Sequence, residues 1–298
     1  MGGSKKSKAA AQRAQRRLMP MPGLMVAALF VAAVLAGGGY LAWNLVGHDV
    51  LTSSQYAVRL ENIEITPPPK WIHSDVRGDV YRVAASDGSL SVLDDHLVKR
   101  FADSFALHPW VAKVRSVTKL PGARLRVELD YRQPVCMVEV PTGSGVLPVD
   151  ASGVWLPSSD FSPVEASRYP RLVGIKTMPI GPVGTPWGDA RVSGGAEVAA
   201  ALLPLWISMK LERIEPSETA ESVDAFMYSV YTHGRTRIVW GRAPGATSPD
   251  PVSAADKVSR LREIVAEQGS PDGHQGPQQI DLRDPRGVQI SPLPRAPR

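Results

Sequence analysis

Residues 123–132 read Ala123-Arg124-Leu125-Arg126-Val127-Glu128-Leu129-Asp130-Tyr131-Arg132. Leu125, Val127, Leu129 and Tyr131 alternate with Arg124, Arg126, Glu128, Asp130 and Arg132, and a period of two with one charged face describes a half-buried antiparallel strand. Upstream, Val111, Val114 and Val117 predict a second strand. Before it, Leu97, Val98, Phe101 and Phe105 share one face of a helix that Asp94 or Asp95 would cap and Pro109 would follow. Ile63 and Ile65 make a brief strand ahead of Pro67, Pro68 and Pro69. Lys70 to Gly88 shows no clear period. Residues 56–133 thus read as a small α+β unit.

Downstream of Pro134 the pattern changes to short strands and turns: Val135 to Val140, Gly145 to Val149, and Val154 to Leu156 after the turn Asp150-Ala151-Ser152-Gly153. Dense glycine and proline from Pro170 to Gly195 predict loops, and a helix is expected over Ala196 to Met209, kinked or split at Pro204. Phe226 to Tyr231 and Thr236 to Trp240, joined by His233-Gly234, predict a hairpin. Ser253 with Asp256 makes a capping box for a helix that aligns Val258, Leu261, Ile264 and Val265. Gln279 to Arg283 and Val288 to Ile290 end a β-rich domain over 134–291, and 292–298 form a proline-rich tail.

The amino-terminal region sets the compartment. Leu18 to Gly47 carries no charged residue and Leu24 to Val46 is almost wholly apolar, where roughly 20 helical residues cross the hydrocarbon of a bilayer. Val34-Leu35-Ala36 resembles a signal-peptide cleavage site. The apolar run, however, continues through Tyr40, Leu41, Trp43 and Leu45, beyond the roughly 7 to 15 residues of a signal-peptide core. A retained anchor over 21–47 is therefore expected, with the bilayer as its partner, a cytoplasmic basic tail over 1–20, a linker over 48–55 and the rest exported. Tyr40 and Trp43 lie where an outer aromatic belt would, and Ala28, Ala32 and Ala36 form a stripe of small residues. The sequence pI of 9.4 comes from that tail: six of the 34 basic side chains lie within the first 17 residues, leaving 28 against 29 acidic ones. A near-neutral body gives no general reason to hold nucleic acid.

No Gly-x-Ser-x-Gly, His-Glu-x-x-His, Walker loop or dinucleotide fingerprint occurs. Ser116-Val117-Thr118-Lys119 matches Ser-x-x-Lys, but Lys176-Thr177 is followed by Met178, so the supporting Lys-Thr-Gly fails. The six histidines show no metal-ligand spacing, and Cys136, the one cysteine, reads as a core thiol. The expectation is no enzyme, no catalytic residue, no metal, no cofactor and no small-molecule substrate.

Six local segments, in order, carry a family resemblance: His108-Pro109-Trp110-Val111; Leu120-Pro121 with the alternating strand; Tyr131-Arg132-Gln133-Pro134-Val135; Val149-Asp150-Ala151-Ser152-Gly153-Val154; Tyr169-Pro170-Arg171-Leu172; and Ile280-Asp281-Leu282-Arg283 with Gly287-Val288. Together with the basic tail and anchor they resemble the bacterial cell-division family FtsQ (DivIB) over most of the chain. Two stretches depart from that pattern. Pro67 to Leu93 is longer and richer in proline than the first half of a POTRA domain, and Asp284 and Pro285 stand where the family often has an aromatic and a turn residue. The resemblance implies an α+β chain with a single transmembrane helix, a POTRA-like domain at 56–133 and a β-rich C-terminal domain. It also implies a non-enzymatic scaffold in the inner membrane at the septum, which binds FtsB (DivIC)- and FtsL-like membrane proteins and helps place and regulate septal peptidoglycan synthesis. The alternative is another exported POTRA-bearing protein that assists polypeptide insertion or secretion. Strands arriving last in a chain often form a sheet edge, so the expected partner-binding residues are Ile280, Leu282, Arg283, Gly287, Val288 and Ile290. Arg283 is the expected carboxylate ligand unless an acid of its own domain takes it.

Overall fold

The computed structural model describes residues 22–51, 55–86, 88, 90–141, 145–219, 226–248, 250–274 and 276–293; the expected tail at 1–20 lies outside these, as do 294–298. The protein is α+β, with one apolar amino-terminal helix followed by a sheet-rich region. Helix α1 (Pro22–Leu51) is a single 30-residue helix, and within it Met25–Ala42 is long and apolar enough to span a membrane. Leu29, Phe30 and Leu35 are each about 70% exposed, so the helix finds no apolar partner among the described residues. At 1.5 Å per residue α1 runs about 45 Å against a hydrocarbon core of about 30 Å. The linker expected from 48 is therefore helical as far as Leu51, the helix running on through Gly47 with no proline to stop it.

The first unit comprises β1 (Ile63–Ile65), α2 (Val76–Ser86), α3 (Leu97–Ala106), β2 (Val111–Leu120) and β3 (Arg124–Tyr131). Its sheet has the order β1-β3-β2, with β1 parallel and β2 antiparallel to β3. The alternation of β3 does what its period demands. Leu125, Val127 and Leu129 are buried against Val76, Val80, Leu97, Phe101 and Phe105 of the two helices. On the opposite face Glu64 pairs with both Arg124 and Arg126, and Asp130 with Arg115, a cross-strand charge ladder. Ala123, expected in the strand, has φ 54° and belongs to the preceding turn with Gly122.

Helix α2 occupies the stretch without a clear period. Asp75 starts it: its carbonyl accepts from Asp79 N–H and its carboxylate from Gly78 N–H, the bonding of an N-cap. Val76, Val80 and Ala84 then bury one face. Helix α3 differs at its cap, where His96 stands without a side-chain bond. Asp94 instead accepts from His96 N–H and pairs with Arg100.

The second unit holds β4 (Pro134–Glu139), β5 (Val146–Asp150), α4 (Pro163–Ala166), β6 (Arg171–Leu172), α5 (Ala190–Leu202), β7 (Leu211–Pro216), β8 (Met227–Thr232), β9 (Arg237–Arg242), α6 (Ala254–Gln268), β10 (Gln278–Asp281) and β11 (Gln289–Pro292). One eight-stranded sheet runs β11-β10-β9-β8-β7-β6-β4-β5. Helix α5 begins six residues before the expected Ala196, because Asp189 caps it through Arg191 N–H. Gly194 and Gly195 sit inside it rather than in a loop: a Cβ on either would collide with Tyr228 or Leu172, so glycine lets the helix lie directly on the sheet. It ends at Leu202, and the 3-10 turn Leu203–Leu205 accommodates Pro204, which has no N–H for an α-helical bond. Strand β11 extends to Pro292, into the expected tail.

Residues 156–161 of the second unit complete the core of the first. Leu156 is fully buried in that core, and the Phe161 ring lies tilted against Trp110 with centroids 6.1 Å apart. Asp160, 5% exposed, accepts at Oδ2 from Trp110 Nε1 (2.9 Å), Ser74 Oγ (2.9 Å), Ser74 N (3.2 Å) and His73 N (3.2 Å). Arg132 donates to Asp150 at 2.6 Å, and Gly184 lies so close to Pro109 that a Cβ would stand 2.9 Å from its Cα.

Beside this seam lies His108, whose side chain is 9% exposed. Its Nδ1 accepts from Trp110 N–H at 3.2 Å, and its Nε2 stands 3.8 Å from Asp79. Burial pushes the imidazole below its ordinary 6.5, against the opposing pull of Asp79 and Asp160. As pH falls the unfolded chain therefore takes up this proton before the folded one does. The contribution is complete above about 6.5 and is lost as pH drops through that value towards the folded pKa. Between about pH 7.5 and 5.5 the melting temperature of the wild type is expected to fall more than that of His108→Gln, whose amide oxygen can still accept from Trp110. Parallel curves would remove His108 as the sensitive group.

Candidate docking site

The terminal hairpin forms one end of the large sheet. Strand β10 runs parallel to β9, β11 pairs antiparallel with β10, and among the described residues no strand pairs with the outer edge of β11. Ile280 and Leu282, expected at the partner surface, are fully buried in the core; strand alternation turns both side chains inward, so neither offers its side chain to a partner. Val288 is half-buried against the same core, and Gly287 lies in the turn, its N–H on Asp284 O. Ile290 differs from these. It lies opposite Ile280 but overhangs the edge, 42% exposed.

The hydrogen-bond parity of the edge follows from one bond, Leu293 N–H to Pro277 O at 3.4 Å. In an antiparallel pair bonded and non-bonded partners alternate, so Ser291 and Gln289 bond inward to Gln279 and Asp281. The N–H and C=O of Ile290 then face outward, together with the C=O of Pro292. Pro292 has no N–H, so the edge offers an apolar lip and a short run of main-chain groups that ends at a proline.

Side chains hold this hairpin in place. Arg260 of α6 donates to the carbonyls of Asp284 (2.7 Å), Pro285 (3.2 Å) and Leu282 (3.4 Å). Arg283 is taken by its own strand: Nε and Nη2 reach Asp281 at 2.9 and 2.6 Å, and the guanidinium holds the Asp281 carboxyl below the ordinary carboxylate range. A partner carboxylate would have to displace Asp281 from this pair. Beneath the hairpin Lys257, 1% exposed, meets Asp250 at 2.6 Å and lies 5.1 Å from the ring centroid of Trp240. Asp250 also accepts from Arg242 N–H.

Helices α5 and α6 share the core with one face of the sheet. On the other face the pairing register sets Arg171, Arg213, Tyr231, Arg237, Gln279 and Ser291 side by side across six strands. Arg213 stacks on Tyr231 at 4.3 Å, and Arg237 donates to Ser229 Oγ. Burial, then the nearby Glu215 carboxylate, pushes the Tyr231 hydroxyl above its usual pKa. This cationic row adjoins a cleft of about 390 Å³ that reaches Gln279 and Arg283, so the face and the terminal hairpin form one continuous surface.

The other singled-out residues lie apart from it. Ser116 and Lys119 stand three apart on an extended strand and so leave opposite faces; Ser116 donates to Glu128, and Lys119 to the carbonyls of Val92 and Asp94. Cys136 is buried and its thiol pushed up by that burial. Among the described residues no group of three or more metal-ligating side chains converges. Comparison with known protein families and with curated proteins finds no match.

Lys257 escaped the sequence reading because a lysine on a helix is ordinarily taken for solvent. Its spacing from Leu261 and Ile264, i, i+4 and i+7, nevertheless puts it on the buried face. Removing one partner of a buried ion pair costs about 3 to 5 kcal/mol. Lys257→Met is thus expected to lower unfolding free energy in urea by about that amount, and a loss below about 1 kcal/mol would show the pair to be solvated.

Proposed function

We propose that the chain is a non-enzymatic scaffold of the bacterial division machinery of FtsQ (DivIB) type. In this reading it is a single-pass inner-membrane protein with its amino terminus in the cytoplasm and its folded part outside, at the division septum. The order β1-α2-α3-β2-β3 with β1 parallel to β3 supports a POTRA-like reading of 56–133, and the six resembling segments support the family. The basic tail before α1 supports the orientation.

The observation that carries the function is the open edge of β11. Partners of FtsB (DivIC) type add an extended segment to this edge, by main-chain bonds at Ile290 and an apolar contact with its side chain. The arginine row on the adjoining face accepts their acidic side chains. FtsL-like proteins join through that partner, and the assembly helps place and regulate septal peptidoglycan synthesis.

Ile290→Pro tests the strand addition, because it removes an outward N–H without breaking a bond to β10. Binding of the FtsB-like partner, measured on the full chain in nanodiscs, is expected to weaken by about tenfold or more, equal to about 1.4 kcal/mol, with the melting temperature retained. Wild-type affinity in Ile290→Pro would refute the edge as the docking site.

A further inference from the structure

A second concavity lies at the seam between the two units, away from the terminal hairpin. Its volume is about 270 Å³, and its lining includes Lys70, Trp71 and His73 of the first unit and Phe161, Arg168, Tyr169 and Leu203 of the second. Small-molecule pockets usually run from about 300 to 1,000 Å³, so this one suits a single large side chain of a longer ligand.

The aromatic walls are fixed before any ligand arrives. Trp71 donates Nε1 to Arg132 O at 3.1 Å, and Phe161 meets Tyr169 edge-on with centroids 5.8 Å apart. Rigid walls spare a ligand the cost of ordering them.

The polar groups of the pocket divide by what is already satisfied. Asp160 Oδ2 takes four donors, and its Oδ1 accepts from Ser159 Oγ at 3.4 Å. Glu165 accepts from Ser162 N and Oγ, which holds its carboxyl below the usual range. The His73 Nδ1 is bonded to Asp160 O. Among the described residues the side chains of Lys70 and Arg168, both exposed, make no ion pair or hydrogen bond, and the Tyr169 hydroxyl makes none either. Both carboxylates are thus engaged by donors of their own loop or of the seam, while cationic and hydroxyl donors remain open around an aromatic floor.

From that complementarity we infer that the seam pocket is a second docking site, and that its occupant is an acidic peptide segment presenting one aromatic or large aliphatic side chain. The apolar side chain enters between Trp71, Tyr169 and Leu203, and flanking carboxylates reach Lys70 and Arg168. A buried apolar anchor within a polar rim is the usual anatomy of a binding hot spot. Because both units supply walls, the segment binds only when they are docked together. This pocket is independent of β11 and of any septal role.

Fluorescence anisotropy on the full chain in nanodiscs, with fluorescein-labelled Glu-Glu-Phe-Glu-Glu as the probe, tests it. The expected result is saturable binding that weakens with salt, that falls by about tenfold or more in Lys70→Glu/Arg168→Glu, and that falls less in Arg168→Gln. The same peptide with glutamine for each glutamate, or with alanine for phenylalanine, should bind at least about tenfold more weakly. No saturable binding by the wild type, equal binding of the glutamine peptide, or unchanged affinity in the doubly reversed variant would each overturn the proposal. Melting temperatures of the variants, whose altered side chains are exposed, confirm that any loss is not unfolding.

Discussion

A buried carboxylate needs donors, and Asp160 finds four of them on the other unit. Taking such a group out of water without partners is costly, and each charge-assisted bond to it contributes more than a neutral one. Separating the two units would exchange the bonds among Asp160, the Trp110 indole and the main chain of His73 and Ser74 for bonds to water and would expose the apolar core around Trp110. Leu156 and Phe161 arrive on the same loop and close the first unit's core over Trp110, so apolar burial and polar satisfaction draw the units together at the same place.

Several other features rest on this constraint. The seam lies beside β4 and β5, at one end of the large sheet, and β11 lies at the other. Seven strand spacings of about 4.8 Å separate the two ends by about 34 Å. A rigid seam lets the first unit hold that distant edge at a fixed distance and angle. The buried Lys257–Asp250 pair and the clasp of Arg260 on the hairpin turn do the same locally. The seam pocket exists only because the units are fused.

The legible parts of the sequence were those in which one period ran long enough to be seen. The alternation of β3, the β8–β9 hairpin, the face of α6 opened by Ser253 and the apolar run of α1 all stand where periodicity and capping put them. Helix α2 was hidden because Arg77, Gly78, Asp79 and Arg82 dilute a face of only Val76, Val80 and Ala84, although Asp75 marked its start. The opening turns of α5 were hidden because Gly194 and Gly195 read as loop, while their function is close approach to Leu172 and Tyr228. Of the expected site, Ile290 and the edge position of β11 were legible from chain order, whereas the inward turn of Ile280 and Leu282 follows from a register that only pairing reveals. The arginine row and the Asp160 seam join residues scattered along the chain, and no local pattern announces them.

The two units that follow α1 form one cooperative body, locked through Asp160. Native-state hydrogen exchange followed by NMR reads it directly at the indole N–H of Trp110, the proton bonded to Asp160. This proton is expected to open with the same free energy as the amide of Val230 in the central strand β8, so that both exchange only by global unfolding. Exchange of the Trp110 indole at a markedly lower opening free energy, with Val230 still protected, would show that the units part on their own and are not locked through Asp160.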